Sequence, residues 1–322
     1  MFNVITFGSA IIDIFVLIKN SEARDRKICF SLGEKIPMED IFWTIGGGGV
    51  NTAATFASQG LKVAWVGKIG QDWAGQIIKN QLTELRIFAD FVGVDSQHPT
   101  STSVVLSTSE GRTILTNHQA DRYLQEKDID WSEIKNTQWF YLAPLSGELA
   151  NLTSAIINFA AKNKIRVAIN PSLDQIKLGY QFFQRISKGI NVLLLNQEEA
   201  AILTGESFYQ EEVILERLKK LDCQFVVITQ GRKGVKVIDR QKKVIYQAGI
   251  PKSDYIDRTG AGDAFGSGLV SQLVKGENIF EAIQYGTANA TSCIQKLGAQ
   301  NGLLAKNEWG KWPKVKVELL KV

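Results

Sequence analysis

The feature that most constrains this chain is a strand–helix–strand succession at its centre, where the apolar runs Trp139–Leu142 and Ile165–Ile169 flank a helical pattern from Leu149 to Lys162. Strands joined through a helix of that length pair in parallel, since a parallel connection needs a crossover of a dozen or more residues. The runs Val4–Phe7, Val63–Gly67, Val192–Leu195 and Phe225–Thr229 repeat the theme. An α/β fold around a mostly parallel central sheet is therefore expected. Its length of 322 residues suits one large unit with a small excursion.

The excursion is expected in two places. Positions from about 14 to 32 mix apolar and charged residues without helical periodicity, and Ser103–Leu106 and Thr113–Thr116 read as short strands around a Glu110-Gly111 turn. We expect segments 14–32 and 100–118 to form a small β-sheet lid inserted into a single domain covering 1–322. A hairpin is expected at Val235–Asp239 and Val244–Gln247, across Arg240–Lys243.

Composition removes several function classes. A net charge of +4 without any block of five or six Lys/Arg gives nucleic acid nothing to follow. Cys29, Cys223 and Cys293 are odd in number and far apart, which predicts reduced thiols in a cytoplasmic protein and no thiolate metal site. The stretch Val4–Ile18 is interrupted by Asp13, is too short to cross a bilayer and has no basic segment before it, so a buried strand without export or membrane contact is expected.

The chemistry concentrates at Asp257-Arg258-Thr259-Gly260-Ala261-Gly262-Asp263, which is followed by Phe265, Leu269 and Leu273 at a spacing of four, as one buried face of a helix requires. Asp263 then lies in a helix's first turn. Bare amides of Gly260, Ala261 and Gly262 can receive an anion there, a phosphoryl group above all. A simple cap is the competing role of Asp263, and on this stretch alone the two balance.

Four glycines, Gly46 to Gly49, lead into an Ala-rich helix that carries Asn51 in its first turn. They suit either a flexible hinge or close approach of backbone to a ligand. Asp13, after a strand, suits a local turn or a hydroxyl-rich substrate. Asn196 and Glu199 follow another strand; such carboxylates usually complement a helix dipole, but the pair can also hold a hydrated Mg²⁺. Thr229, Gly231 and Gly234 form a further glycine-bearing strand end. In open parallel sheets ligands bind beyond the carboxyl ends of strands, and the loops at Asp13, Asn196, Thr229 and Asp263 are expected there.

Taken together, Gly8–Asp13, Gly46–Asn51, Asn196–Glu199, Thr229–Gly234 and Asp257–Asp263 resemble the ribokinase, or pfkB, family of carbohydrate and nucleoside kinases, over nearly the whole chain. The resemblance implies a three-layer ribokinase-like fold and an ATP- and Mg²⁺-dependent kinase acting on a primary hydroxyl of a small sugar, sugar acid or nucleoside. It implies Asp263 as catalytic base, with the amides of Gly260, Ala261 and Gly262 as anion hole. A free Asp titrates at about 3.9, so such a base is ionised near neutral pH. Asp13, Gly46, Gly47 and Asn51 are implied to hold the acceptor, Asn196 and Glu199 the Mg²⁺ and phosphates, and Thr229, Gly231, Gly234 and Asn289 the nucleotide. Asp257, the Thr259 backbone and Gly298-Ala299-x-x-Gly302 are implied to enclose a monovalent cation such as K⁺. Asp257 is also expected to brace the turn from behind.

Arg258 stands where the family often has Thr, and four glycines replace the usual pair. Arg112, His118 and Arg122 lie where a phosphorylated acceptor would want cations, though an unphosphorylated one is favoured. A silent sugar or nucleoside sensor on the same fold is the alternative reading. A dinucleotide oxidoreductase would want G-x-G-x-x-G after the first strand, and Gly8-Ser9-Ala10-Ile11 lacks it. A small exposed lid sheet also suits pairing into a homodimer.

Overall fold

Strands covered on both faces are apolar at successive positions, and the alternation of their side chains divides the core in two. The computed structural model describes residues 1–18, 23–24, 27–109 and 111–320. Among these, ten strands form one sheet in the order Val317–Leu320, Val244–Ala248, Val235–Asp239, Phe225–Thr229, Val192–Asn196, Arg166–Ile169, Thr137–Leu142, Phe2–Phe7, Val63–Gly70, Val92–Asp95. Pairing is parallel from Phe225–Thr229 through to Val92–Asp95, and antiparallel across the hairpin strands and Val317–Leu320.

Ile5, Phe7, Phe140, Leu142, Leu193 and Leu195 pack on one face against the helices Thr153–Lys162, Gln197–Thr204 and Glu211–Leu218. Val4, Trp139, Tyr141, Val192 and Leu194 pack on the other against Gly48–Ser58, Ala261–Lys275 and Ile279–Cys293. The result is three layers, helix, sheet and helix, as expected.

A separate four-stranded sheet is ordered Met38–Gly46, Ile11–Ile18, Thr102–Thr108, Gly111–Asn117. Its composition differs from the expected lid. The stretch Val4–Ile18 is two strands, broken after Phe7 by Gly8 at φ 148°, and the second belongs to the small sheet. The strand Met38–Gly46 was not expected, because most of its positions are exposed and neither face carries a buried apolar stripe. Part of the expected 14–32 segment, and Glu110 of the expected turn, lie outside the described residues.

The strand-end rule is corrected at two loops. Asn196 and Thr229 do end adjacent parallel strands and are register partners. Asp13 instead lies within the small sheet, opposite Thr44 and Ser103. Asp263 follows an irregular stretch after the antiparallel strand Val244–Ala248, so it approaches the cleft on a helix rather than at the end of a parallel strand. The Thr229–Gly234 loop is also a hairpin connection, since Phe225–Thr229 and Val235–Asp239 pair antiparallel.

Candidate active site

The helix Ala261–Lys275 begins after Gly260, whose left-handed backbone at φ 75° brings it against residue 299: an added Cβ would stand 2.3 Å from Ala299 Cβ. A glycine is therefore required both by conformation and by space. The Ala261 N–H reaches back only to the Arg258 carbonyl, at 3.3 Å. The Gly260 and Gly262 N–H groups make no hydrogen bond among the described residues. Free amides at the positive end of a 15-residue helix can receive an anion.

Asp263, in the first turn, accepts a hydrogen bond from Asn51 Nδ2 at 2.9 Å. Burial raises its pKa and the Asn51 hydrogen bond pulls it back only in part. Asn51 is 5% exposed, and its Oδ1 accepts from Gln300 Nε2 at 3.0 Å. One of its amide hydrogens is thus engaged by Asp263 and its amide oxygen by Gln300. Gln300 is one of the unspecified positions between Ala299 and Gly302, so no residue pattern marked it.

The four glycines are a packed joint rather than a loose hinge. A Cβ on Gly46 would stand 2.0 Å from Asp13 Oδ2, and Gly47, at φ 96°, would place one 2.6 Å from the Ser9 carbonyl oxygen. Asp13 accepts a hydrogen bond from Ser103 Oγ across the small sheet. Burial raises its pKa, the Ser103 hydrogen bond opposes this, Asp257 adds to it and Arg112 offsets it. Thr44, beside Asp13 in register, has a buried hydroxyl without a hydrogen-bond partner among the described residues.

Thr229, Gly231 and Gly234 share a cleft of about 760 Å³ with Ala261 and Gly262. Tyr255 stands on the cleft with the Arg258 guanidinium 4.0 Å from its ring centroid, a cation–π contact that gives the unusual Arg258 a place. Gln230, next to Thr229, donates to Gln197 Oε1 at 3.1 Å and so ties the two neighbouring strand-end loops together.

Asn196 and Glu199 cap each other reciprocally: Glu199 N–H donates to Asn196 Oδ1 and Asn196 N–H to Glu199 Oε2, both at 2.8 Å. Burial raises the Glu199 pKa against that second bond. Among the described residues no group of three or more His, Cys, Asp or Glu is placed to hold a metal ion. The donor set fits only an ion that keeps most of its own waters, as Mg²⁺ does.

Two further expected site residues are engaged by the protein itself. Asn289 is fully buried, donating to the Ala264 carbonyl and accepting from the Leu304 N–H, at 2.8 and 2.9 Å, and it does not line the cleft. Asp257, 5% exposed, accepts from Thr259 N, Thr259 Oγ1 and Gly298 N at 3.0, 2.7 and 3.1 Å, and from the Arg112 guanidinium. Burial opposes its ionisation, but these donors together hold its pKa below the usual Asp value.

The profile of the pfkB family carbohydrate kinases matches residues 1–306. A ribokinase of Haemophilus influenzae is 30% identical over 286 residues, covering 86% of this chain and 89% of that one. A 5-dehydro-2-deoxygluconokinase of Listeria innocua is 24% identical and covers 95% and 94% of the two chains. Among solved structures, a Thermotoga maritima ribokinase superposes with TM-score 0.79 at 24% identity, covering 96% of this chain and 98% of that one. An Arabidopsis thaliana ribokinase complexed with ribose and ATP gives 0.77 at 24%, covering 94% and 96%. These structural likenesses carry the three-layer fold, and the sequence matches carry the family: this chain belongs to the pfkB family of carbohydrate kinases.

Proposed function

We propose that this chain, as one kinase domain over 1–322, moves the terminal phosphoryl group of ATP to a primary hydroxyl of a small sugar, sugar acid or nucleoside. The observation that carries the reading is Asp263 beside the free amides at the start of the helix Ala261–Lys275. Asp263 accepts the acceptor's hydroxyl proton as that oxygen bonds to phosphorus and the bond to ADP breaks. The Gly260, Ala261 and Gly262 amides receive the charge that spreads over the transferred group's oxygens. Asp13, with Gly46 against it and Gly47 against Ser9, orients acceptor hydroxyls, and Asn51 holds the carboxylate that takes the proton. Thr229, Gly231 and Gly234 bind the nucleotide, and Asn196 and Glu199 face the Mg²⁺ through water. Bound Mg²⁺ neutralises the phosphate tail.

An unphosphorylated acceptor is favoured because two of the three basic residues considered for a phosphorylated one are committed, Arg112 to Asp257 and Thr259 and His118 to Asp121 at 3.1 Å, and the third, Arg122, is exposed. The row Trp43, Ile14, Val104 and Leu115 crosses the face of the small sheet opposite to Asp13, with Trp43 and Leu115 more than half exposed. That face supports a homodimer, which sedimentation tests. Free Cys29, Cys223 and Cys293 support a cytoplasmic setting.

A coupled ADP-release assay across sugars, sugar acids, sugar phosphates and nucleosides tests the function. Turnover of an unphosphorylated acceptor, lost in Asp263→Asn with ATP binding retained, is the expected result. Acceptor binding without turnover on the whole panel leaves the silent sensor instead.

A further inference from the structure

Register places Arg112 opposite Ser107, Ser107 opposite Leu17 and Leu17 opposite Asp40, on the same face of the small sheet as Asp13 and Phe15. This is the face turned to the 257–302 region, since Thr44, opposite Asp13 on it, would lie 3.0 Å from a Cβ added to Gly298, and Arg112 on it pairs with Asp257. Arg112 sits on the strand Gly111–Asn117, whose residues are all exposed. From that edge its guanidinium crosses to the turn before the anion hole, pairing with Asp257 and donating to Thr259 Oγ1 at 2.6 Å. Thr259 Oγ1 in turn donates a hydrogen bond to Asp257 Oδ1, at 2.7 Å, so one short chain of donors joins the small sheet to the turn.

The monovalent cation implied by the resemblance does not fit this arrangement. Asp257 Oδ1 already accepts from Thr259 N, Thr259 Oγ1 and Arg112, and Oδ2 from Gly298 N. A carboxylate offers about four lone-pair sites, and a second cation beside a guanidinium meets like charge.

We propose that Arg112 is a positioning residue that takes the place of a monovalent cation at Asp257, so that the 257–262 turn is ordered by closure of the small sheet rather than by an ion from solution. The inference rests on the proposed kinase activity for its kinetic arm only. Arg112 does not touch the reacting atoms; it acts through Asp257 and Thr259 on the amides at Gly260 to Gly262. The guanidinium is the suited group, because its flat fork can serve a carboxylate and a hydroxyl together where a point charge serves one less well.

The test compares wild type, Arg112→Ala and Arg112→Lys in potassium and in tetramethylammonium at equal ionic strength. Thermal unfolding is read alongside kcat and KM on an acceptor found in the panel. Wild type should unfold at the same temperature and turn over at the same rate in both salts. Arg112→Ala should lose kcat by on the order of 10²-fold in tetramethylammonium, with little change in KM for ATP. It should also gain a potassium-specific rise in unfolding temperature and recover part of its kcat in potassium, and Arg112→Lys should fall between. A potassium requirement in wild type, or an Arg112→Ala variant indistinguishable from it in both salts, overturns the proposal. If no acceptor is phosphorylated, the proposed function fails, while the salt-dependent unfolding of the same proteins still decides the role of Arg112.

Discussion

Asn51 Nδ2 lies 2.9 Å from Asp263 Oδ2, a hydrogen bond between side chains 212 positions apart that joins the first turns of two helices. It is where the two halves of the site meet. A carboxylate held this way has one oxygen engaged and the other left to face an acceptor.

Asp263→Asn keeps the shape and removes the proton acceptor. General base catalysis contributes roughly 10²–10⁴-fold, so kcat should fall by that order while KM for ATP stays within a severalfold range. Steady-state kinetics with titration of a non-hydrolysable ATP analogue checks both halves.

The pH dependence follows from the direction of the Asp263 shift. Burial raises its pKa, and the ionised form is the base, so activity is lost as pH falls through a value above the ordinary Asp range. Asn51→Ala removes the influence that lowers this pKa, and the acid limb of kcat should move higher still. A raised carboxyl pKa also means that ionisation disfavours the fold above that value. Asp263→Asn should therefore unfold at a higher temperature than wild type at neutral pH, with the gain shrinking under acid conditions, as calorimetry across pH would show.

Gly46→Ala places a methyl 2.0 Å from Asp13 Oδ2. One of the two must shift, at a cost of about 1–3 kcal/mol, and the acceptor site shifts with it. KM for the acceptor should rise by on the order of 10-fold while KM for ATP holds. An unchanged acceptor KM would remove Asp13 from the binding role.

The cap that Glu199 closes and the Mg²⁺ role proposed for it can be separated by substitution. Gln at the same position still closes the reciprocal cap with Asn196, so Glu199→Gln should unfold within about 1 kcal/mol of wild type. Half-maximal activity should nevertheless need more Mg²⁺. Glu199→Ala should lose both, with about 0.5–2 kcal/mol of stability.

Asn289→Ala leaves the Leu304 N–H without its acceptor and takes the side-chain donor from the Ala264 carbonyl. A loss of about 1–3 kcal/mol in denaturant unfolding is expected, with KM for ATP unchanged.

The layers were legible because a strand buried on both faces has to be apolar throughout, as Val192–Leu195 is. The Ala261–Lys275 helix was legible from glycines followed by Phe265, Leu269 and Leu273. The small sheet was harder. Met38–Gly46 mixes Glu39 and Asp40 with Ile41 and Trp43, and a strand with both faces largely open leaves no burial pattern to read. Asp13 could be singled out, but its partner Ser103 is set by a pairing register that local pattern does not encode. Asn289 shows the opposite limit: its residue type suits a ligand, yet two buried backbone groups claim it.

The small-sheet strand Met38–Gly46 and the helix Gly48–Ser58 are separated by Gly47 alone. Any tilt of that strand must be absorbed at this single residue or transmitted along a rigid arm to Asn51, and through it to the oxygen of Asp263. Under the proposed roles, covering the acceptor and aiming Asp263 are geared to one joint, so an acceptor too small to draw the sheet down should be bound with its hydroxyl out of line with that carboxylate.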